Sequence, residues 1–381
     1  MEMIRPSNAS DLAEALTAAA TSGATIALRG AGSKDAMGGP VPDAQADLRL
    51  DRMSGILQYE PHDLTIQVAA GTPWQELNAV VTGQGQMLPL DPPRAATATI
   101  GGIVASNCSG PRRRLYGTAR DMLIGMTFAT LDGSLVQAGG MVVKNVAGLD
   151  TQKALTGSFG TLAAMASVNF KLVPLPEASR TFLFAFQAAE ECLAARQRVL
   201  ASALQPAAVD LLNPAAAKLA GCDGFVLAVR AGGSETVLAR YARELDGSAS
   251  LEGEKESTFW RTVQEFAPAW IDQAPEHSLV RVGHMLSELG EVLDSATGPV
   301  VARAGNGVSY LAFDGIDALQ NWMIATREKP WSRVVEWSGA AVQRNVELWS
   351  GAVDDFALME RLKVLFDPQR ILNPGRLYGR L

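Results

Sequence analysis

This sequence predicts an α+β chain of two domains, on three observations. Through residue 174 the glycines gather in loops between short apolar strands, at Gly30 and Gly32, at Gly101 and Gly102, and at Gly157 and Gly160. Past Pro174 and Pro176 the texture changes to strands and helices in alternation with few glycine loops, the pattern of an antiparallel sheet with helices on one face. The length, 381 residues, makes two or three domains at ~100–200 residues each. The boundary falls between 174 and 175, so the domains are 1–174 and 175–381.

Composition narrows the function classes. A hydrophobic content of 48% supplies a full core. A net charge of −7 leaves no domain-scale basic surface and excludes a nucleic-acid binder. The three cysteines, Cys108, Cys192 and Cys222, stand far apart with no CxxC, which argues against an iron–sulfur or zinc site built by this chain, so no metal is expected. So sparse and odd a count fits a reducing compartment. The N-terminus has no basic stretch leading into an apolar one. No apolar run reaches the ~20 residues of a membrane span. A cytoplasmic protein without direct membrane insertion is expected, with any contact to the inner membrane carried by partners.

In chain order, residues 10–20 read as a helix with Ser10 as N-cap, Leu12, Ala15, Leu16 and Ala19 on one face, and Gly23 ending it. Residues 24–28 are a short strand running into the loop Arg29, Gly30, Ala31, Gly32, Ser33, Lys34. Residues 55–59 and 64–69 form a strand pair turned at 60–63. Thr72 caps the next helix, with Pro73 first in it and Gln75 closing a capping box; Gly83 ends it. A short helix occupies 101–107. Strands 123–130 and 134–138 make a hairpin around Asp132 and Gly133, the strongest short-range hairpin signal here. Residues 142–150 are a loop carrying Lys144, Asn145 and Gly148, and 162–172 are a long strand. The second domain reads as strands at 181–186, 208–212, 225–230, 279–282, 300–303 and 308–313, and helices at 188–203, 234–245, 316–327 and 354–366. The tail, with Pro368 and Pro374, is extended enough to lie across the other domain.

The stretch 97–115, TATIGGIVASNCSGPRRRL, is built from small residues, as if something large lies against its backbone. Glycine allows that approach, and successive free N–H groups at a turn make an anion site. A phosphate-bearing cofactor is the first inference. Gly30 and Gly32 open a second such loop, but the dinucleotide fingerprint G-x-G-x-x-G fails: the third glycine is missing and no amphipathic helix follows. Arg112, Arg113 and Arg114 are the one basic run, either a solvated loop or a contact for phosphate or an acidic partner.

With these pieces in order, residues 1–174 resemble the FAD-binding domain of the vanillyl-alcohol oxidase, or PCMH, type. Residues 29–34, 64–72, 99–102 with Asn107, and 157–161 carry the likeness. The tail from Phe366, Asp367 and Pro368 to Asn373, Pro374 and Gly375 is similar to the end of the FAD-linked oxidase C-terminal domain. Residues 107–113 and 144–148 are most similar to the FAD-binding subunits of bacterial glycolate oxidases. The resemblance implies a two-subdomain PCMH-type fold holding FAD, followed by a smaller α+β domain whose tail returns to the first. It implies diphosphate contacts from the N–H groups of residues 30–34 and of Ile100, Gly101 and Gly102, next to Arg29 and Thr99. Asn107, Ser109 and Gly110 are placed near the ribityl chain or ring, Gly160 and Thr161 beside the ring, and Gly117 is counted among the cofactor-binding residues. The first loop has no histidine for covalent attachment and Cys108 does not match the expected cysteine position, so the FAD is expected to be non-covalent. Phe159 and Ala163 depart from the Glu and Gly usual in relatives.

Catalytic relatives oxidise a 2-hydroxy acid, which needs a base for the hydroxyl proton and a cation for the carboxylate. Their H-x-G-D-G-N-x-H segment matches residues 303–310 here, where Arg303 and Tyr310 replace the histidines and Asn306 the Asp. His62, His277 and His284 offer no metal cluster. Arg303, Tyr310 and Arg281 are the remaining candidates for chemistry. The family implies a paralogous flavin-containing subunit bearing the hydroxy-acid site and an iron–sulfur subunit as partners. A self-sufficient oxidase using Tyr310 or Arg303, and a structural subunit with a vestigial flavin site, are the alternatives. Trp331 and Trp337 flank a possible edge strand open to a partner.

Overall fold

The computed structural model describes residues 2–142, 148–349 and 355–381. The expected loop residues Lys144 and Asn145 lie outside these. The chain forms two compact units. The first contains Met1–Ser109, Gly117–Leu175 and Glu347–Leu381; the second contains Gly110–Tyr116 and Pro176–Val346. The second unit thus ends at Val346 rather than at the C-terminus, and takes in a short segment expected in the first.

The first unit holds two principal sheets. Glu2–Ile4, Ala46–Arg49 and Ile26–Arg29 make a parallel three-stranded sheet with Ala46–Arg49 central. Ile56–Glu60, Thr65–Ala69, Ala164–Lys171, Leu123–Ala129 and Leu135–Gly139 make an antiparallel five-stranded sheet in that order. The hairpin between its last two strands turns at Gly133, whose φ of 81° suits a residue without Cβ. Ala9–Ser22 is helical because Leu12, Ala13, Leu16 and Ala19 recur on one face and are buried. Its N-cap is Asn8, whose side chain accepts from the Asp11 N–H; Ser10, the expected cap, lies inside the first turn. The expected capping box at Thr72 does not form. Helix Trp74–Thr82 begins after Pro73, and the Thr72 hydroxyl donates instead to the Ala69 carbonyl at 2.7 Å. One apolar cluster unites the unit: Leu12, Ile26, Leu48, Ile66, Phe128 and Phe170, joined by Ile371 and Leu372 of the tail.

The second unit is an eight-stranded antiparallel sheet in the order Ala249–Leu251, Ala178–Phe186, Phe225–Gly233, Ala208–Leu212, Val300–Arg303, Val308–Phe313, Ser278–Gly283, Ser332–Ser338. Helices cover both faces rather than one. Thr181 and Phe182 are adjacent in a strand and so point to opposite faces. Thr181 meets Trp260 of helix Gly253–Gln264, and Phe182 stacks on Tyr241 of helix Glu235–Glu244. Ser332–Ser338 is an edge strand, but Trp331 and Trp337 are both buried, so neither ring is open to a partner. Among the described residues no helix is long and apolar enough to cross a membrane.

Candidate functional site

Four glycine-bearing or turn segments and the C-terminal tail meet in the first unit. Strand Ile26–Arg29 delivers the first loop. Arg29 is anchored at its root by Asp47 (2.9 Å) and Asp35 (2.9 Å). The main-chain N–H groups of Gly30, Ala31, Gly32 and Ser33 donate to nothing among the described residues. Gly32 holds φ at 78°, so the loop turns without a side-chain penalty. A Cβ on Gly30 would lie 2.1 Å from the Thr99 hydroxyl, which shows how closely the first loop lies against the start of helix Ile100–Ser106. Lys34 is buried, and its ammonium donates to the Pro93 carbonyl.

The start of helix Ile100–Ser106 does not form the expected cradle. The Ile100 N–H donates to Thr72 O at 2.9 Å and that of Gly101 to Ala70 O at 2.7 Å. Both donors are held by the end of strand Thr65–Ala69 and the residues after it, and cannot also meet a phosphate. A Cβ on Gly101 would stand 2.9 Å from Ala70 O, so this glycine serves the close approach of two chain segments. Gly102 N–H faces the Thr99 side chain, its N-cap, at 3.4 Å. Asn107 ends the helix in the left-handed region, and its side-chain oxygen accepts from Arg120 N at 3.3 Å. Cys108 is buried between the Ser106 hydroxyl and the Met37 sulfur. Gly117 has φ 84°, and a Cβ there would strike the Asp121 carboxylate. Ser109 is half-buried at the end of the first unit's segment, and Gly110 begins the segment assigned to the second.

The turn 157–161 is tied to the same helix: Gly157 N–H donates to Val104 O and Phe159 N–H to Ala105 O. Phe159 and Gly160 both have positive φ. The Thr161 hydroxyl donates to Ser158 O at 2.8 Å and stays inside the turn. Sequence reasoning missed the residues that bind these loops together, Asn373, Arg376 and Lys363. Asn373 accepts from Leu28 N–H at 2.6 Å and donates to Leu28 O and Phe159 O. Lys363, fully buried, donates to Thr161 O, Leu372 O and the Asp367 carboxylate. The one available signal was Asn373 followed by Pro374 and Gly375.

A dinucleotide with a diphosphate fits this arrangement. Four consecutive N–H groups without an acceptor among the described residues make an anion nest, and the glycines at positions 30 and 32 keep side chains off that backbone.

The second unit carries the other three candidates. Arg303 is buried and ion-paired with the buried Asp210 of a neighbouring strand, and its guanidinium stands 5.5 Å from the centre of the Tyr310 ring. Arg281 pairs with Glu336. Burial, helped by Glu336 and opposed by the guanidinium groups of Arg303, Arg113 and Arg281, pushes the Tyr310 phenol up to about 12. It keeps its proton at neutral pH. Arg114 of the basic run is half-buried against Gly305, not solvated. His284 bridges Ser309 Oγ (2.9 Å) and Met285 O (2.8 Å), and burial lowers its pKa. His277 stacks on Trp270. Among the described residues no cluster of three His, Cys, Asp or Glu side chains forms a metal site.

This fold and loop set define a PCMH-type FAD-linked flavoprotein. Solved structures share it: 4-ethylphenol oxidase from Gulosibacter chungangensis (TM-score 0.75, 15% identity, 99% of this chain and 89% of that one) and p-cresol methylhydroxylase (TM-score 0.74, 14% identity, 99% and 88%). The FAD binding domain model matches residues 2–139, and the C-terminal domain model of FAD linked oxidases matches 348–377. The chain is 30% identical to glycolate oxidase subunit GlcE of Escherichia coli over 93% of both proteins. It is also 30% identical to glycolate oxidase subunit GlcD of Bacillus subtilis, over 55% of this chain and 45% of that one. D-lactate dehydrogenase of Archaeoglobus fulgidus is 23% identical over 100% and 91%. The chain belongs to the FAD-binding family of glycolate oxidase subunits, FAD-dependent oxidoreductases acting on CH–OH groups.

Proposed function

We propose that this chain is the FAD-binding subunit of a glycolate oxidase complex that oxidises glycolate to glyoxylate, and that it lacks the hydroxy-acid site itself. The observation that carries the reading is the state of residues 303–310. Where a base and a carboxylate cation are needed, Arg303 is neutralised by Asp210 and Tyr310 holds its proton. Arg281 is likewise matched by Glu336. The same facts weigh against a self-sufficient oxidase built on Tyr310 or Arg303. The open N–H groups of residues 30–33 weigh against a vestigial flavin site.

Bound FAD supplies a two-electron acceptor for oxidation at an alcohol carbon. The chain's own residues hold it: Gly30, Ala31, Gly32 and Ser33 by main-chain N–H groups, with Arg29, Thr99 and Gly102 alongside. Asn107, Gly160 and the turn at Phe159 shape the neighbouring wall. No histidine stands in the first loop and Cys108 is buried against Met37, which supports non-covalent attachment. The hydroxy-acid chemistry then belongs to a paralogous flavin-containing subunit, with an iron–sulfur subunit taking electrons onward. The complex is cytoplasmic and meets the inner membrane only peripherally. Co-purification with its neighbours tests this: the reading expects a yellow chain that joins a larger complex, and a colourless chain even after FAD is supplied would refute it.

A further inference from the structure

The tail residue Arg376 brings a guanidinium against the first loop, where Asp35 is the carboxylate whose charge acts on it. Its guanidinium donates to the carbonyls of Lys34, Met37 and Gly39, the last at 2.7 Å, and lies 5.6 Å from the centre of the Phe159 ring. None of its hydrogen bonds goes to a carboxylate among the described residues. Burial pushes the group down to about 10, so it remains a cation at neutral pH. The tail fits tightly here. A Cβ on Gly38 would stand 2.7 Å from Arg376 O, and one on Gly39 2.2 Å from Gly375 O. One main-chain bond closes the contact, from Gly39 N–H to Arg376 O, and Gly379 N–H donates to Gly375 O within the tail.

Three carbonyls of one loop therefore point at a fixed cation. The N–H groups immediately before them in sequence, at residues 30–33, have no acceptor among the described residues. The Lys34 carbonyl lies one residue past Ser33, so its bond to Arg376 fixes the end of the segment that carries those N–H groups. The guanidinium also brings a positive charge to this side of the loop, offset in part by the Asp35 carboxylate.

We propose that Arg376 is a positioning residue for the FAD diphosphate, holding the end of the first loop at Lys34 so that the N–H groups of residues 30–33 face the phosphates. It acts through the loop and touches no reacting atom. The proposal rests on the assignment of residues 30–33 as the diphosphate loop.

The test compares FAD with riboflavin, which lacks both phosphates, by fluorescence titration of the flavin-stripped full chain. Arg376→Met should weaken FAD binding ~10-fold or more, the scale of a lost charge-assisted contact, and leave riboflavin binding unchanged. Arg376→Lys, which keeps the charge but not the three-carbonyl fork, should fall between. Equal losses for both flavins mean that the residue only supports the fold, and overturn the proposal, as does unchanged FAD affinity. If Arg376→Met does not fold, Arg376→Lys carries the same comparison, and an unchanged ratio of the two affinities overturns it. Gly32→Val separates the role of the loop from that of Arg376. If it retains FAD, the loop assignment itself fails; if it loses FAD while Arg376→Met does not, only the role of Arg376 fails.

Discussion

The Asn373 side chain accepts the main-chain N–H of Leu28 at 2.6 Å and returns a hydrogen bond to the Leu28 carbonyl, across 345 residues of sequence. It completes the edge of strand Ile26–Arg29 where the first loop begins, and its third bond reaches Phe159 O. Asn373 is buried and has φ 46°, a conformation asparagine tolerates better than most residues. Replacing it with Ala leaves buried main-chain groups unpaired. At ~1 kcal/mol per lost bond, Asn373→Ala should cost ~2–4 kcal/mol in urea unfolding and lower the flavin content of the purified chain. A change within error in both would show that the tail does not organise the loop.

Lys363 and Asp367 form an ion pair that is almost wholly out of water. Asp367 also accepts from the N–H groups of Ile371 and Leu372. Lys363→Met strands that carboxylate and should cost ~3–5 kcal/mol. The double variant Lys363→Met/Asp367→Asn should be less damaged than the single one, as read by denaturant midpoints. Additive losses would contradict a coupled pair.

Gly101 and Gly32 separate packing from binding. At Gly101 an added side chain meets Ala70 O, so Gly101→Val should lower the melting temperature of the flavin-free chain. At Gly32 the nearest atom is the exposed Asp35 carboxylate, 3.1 Å away, so the chief structural cost is the positive φ, ~1–2 kcal/mol. Calorimetry of both flavin-free variants checks the order: Gly101→Val should melt below Gly32→Val. The reverse order would mean that the helix start is looser than its main-chain bonds imply.

His284 gives a pH signature. Burial depresses its pKa below the ordinary 6.5 while it bridges Ser309 and Met285. The unfolded chain therefore binds this proton more readily than the folded one. Stability rises with pH through the window below 6.5 and is lost as pH falls through it. His284→Gln should flatten that part of the stability curve. An unaltered slope would place the acid sensitivity elsewhere.

Much of this architecture was legible in the sequence, for reasons that differ by element. Asp132 and Gly133 marked their hairpin because a turn there needs positive φ. Strand–helix alternation after Pro176 marked the antiparallel sheet. Helices on its second face were not legible, since Thr181 and Phe182 each read as ordinary strand residues whichever helix covers them. The edge strand between Trp331 and Trp337 was legible, but the burial of both rings and the pairing of Glu336 with Arg281 of the neighbouring strand were not. Glycines announced the loops at 30–32 and 100–102, but which N–H groups stay open depends on what packs behind them. Ala70 and Thr72 take those of Gly101 and Ile100, a tertiary fact with no local signature. The tail's grip through Asn373 and Arg376 is equally non-local.

We propose that this chain holds FAD and leaves oxidation of the hydroxy acid to its paralogous subunit. The most direct measurement is the anaerobic visible spectrum of the purified, flavin-loaded chain during addition of glycolate, alone and then with its paralogous subunit. The account predicts no bleaching of the flavin band for the chain alone, and bleaching only once the second subunit is present. Rapid glycolate-dependent bleaching by the chain alone would contradict it.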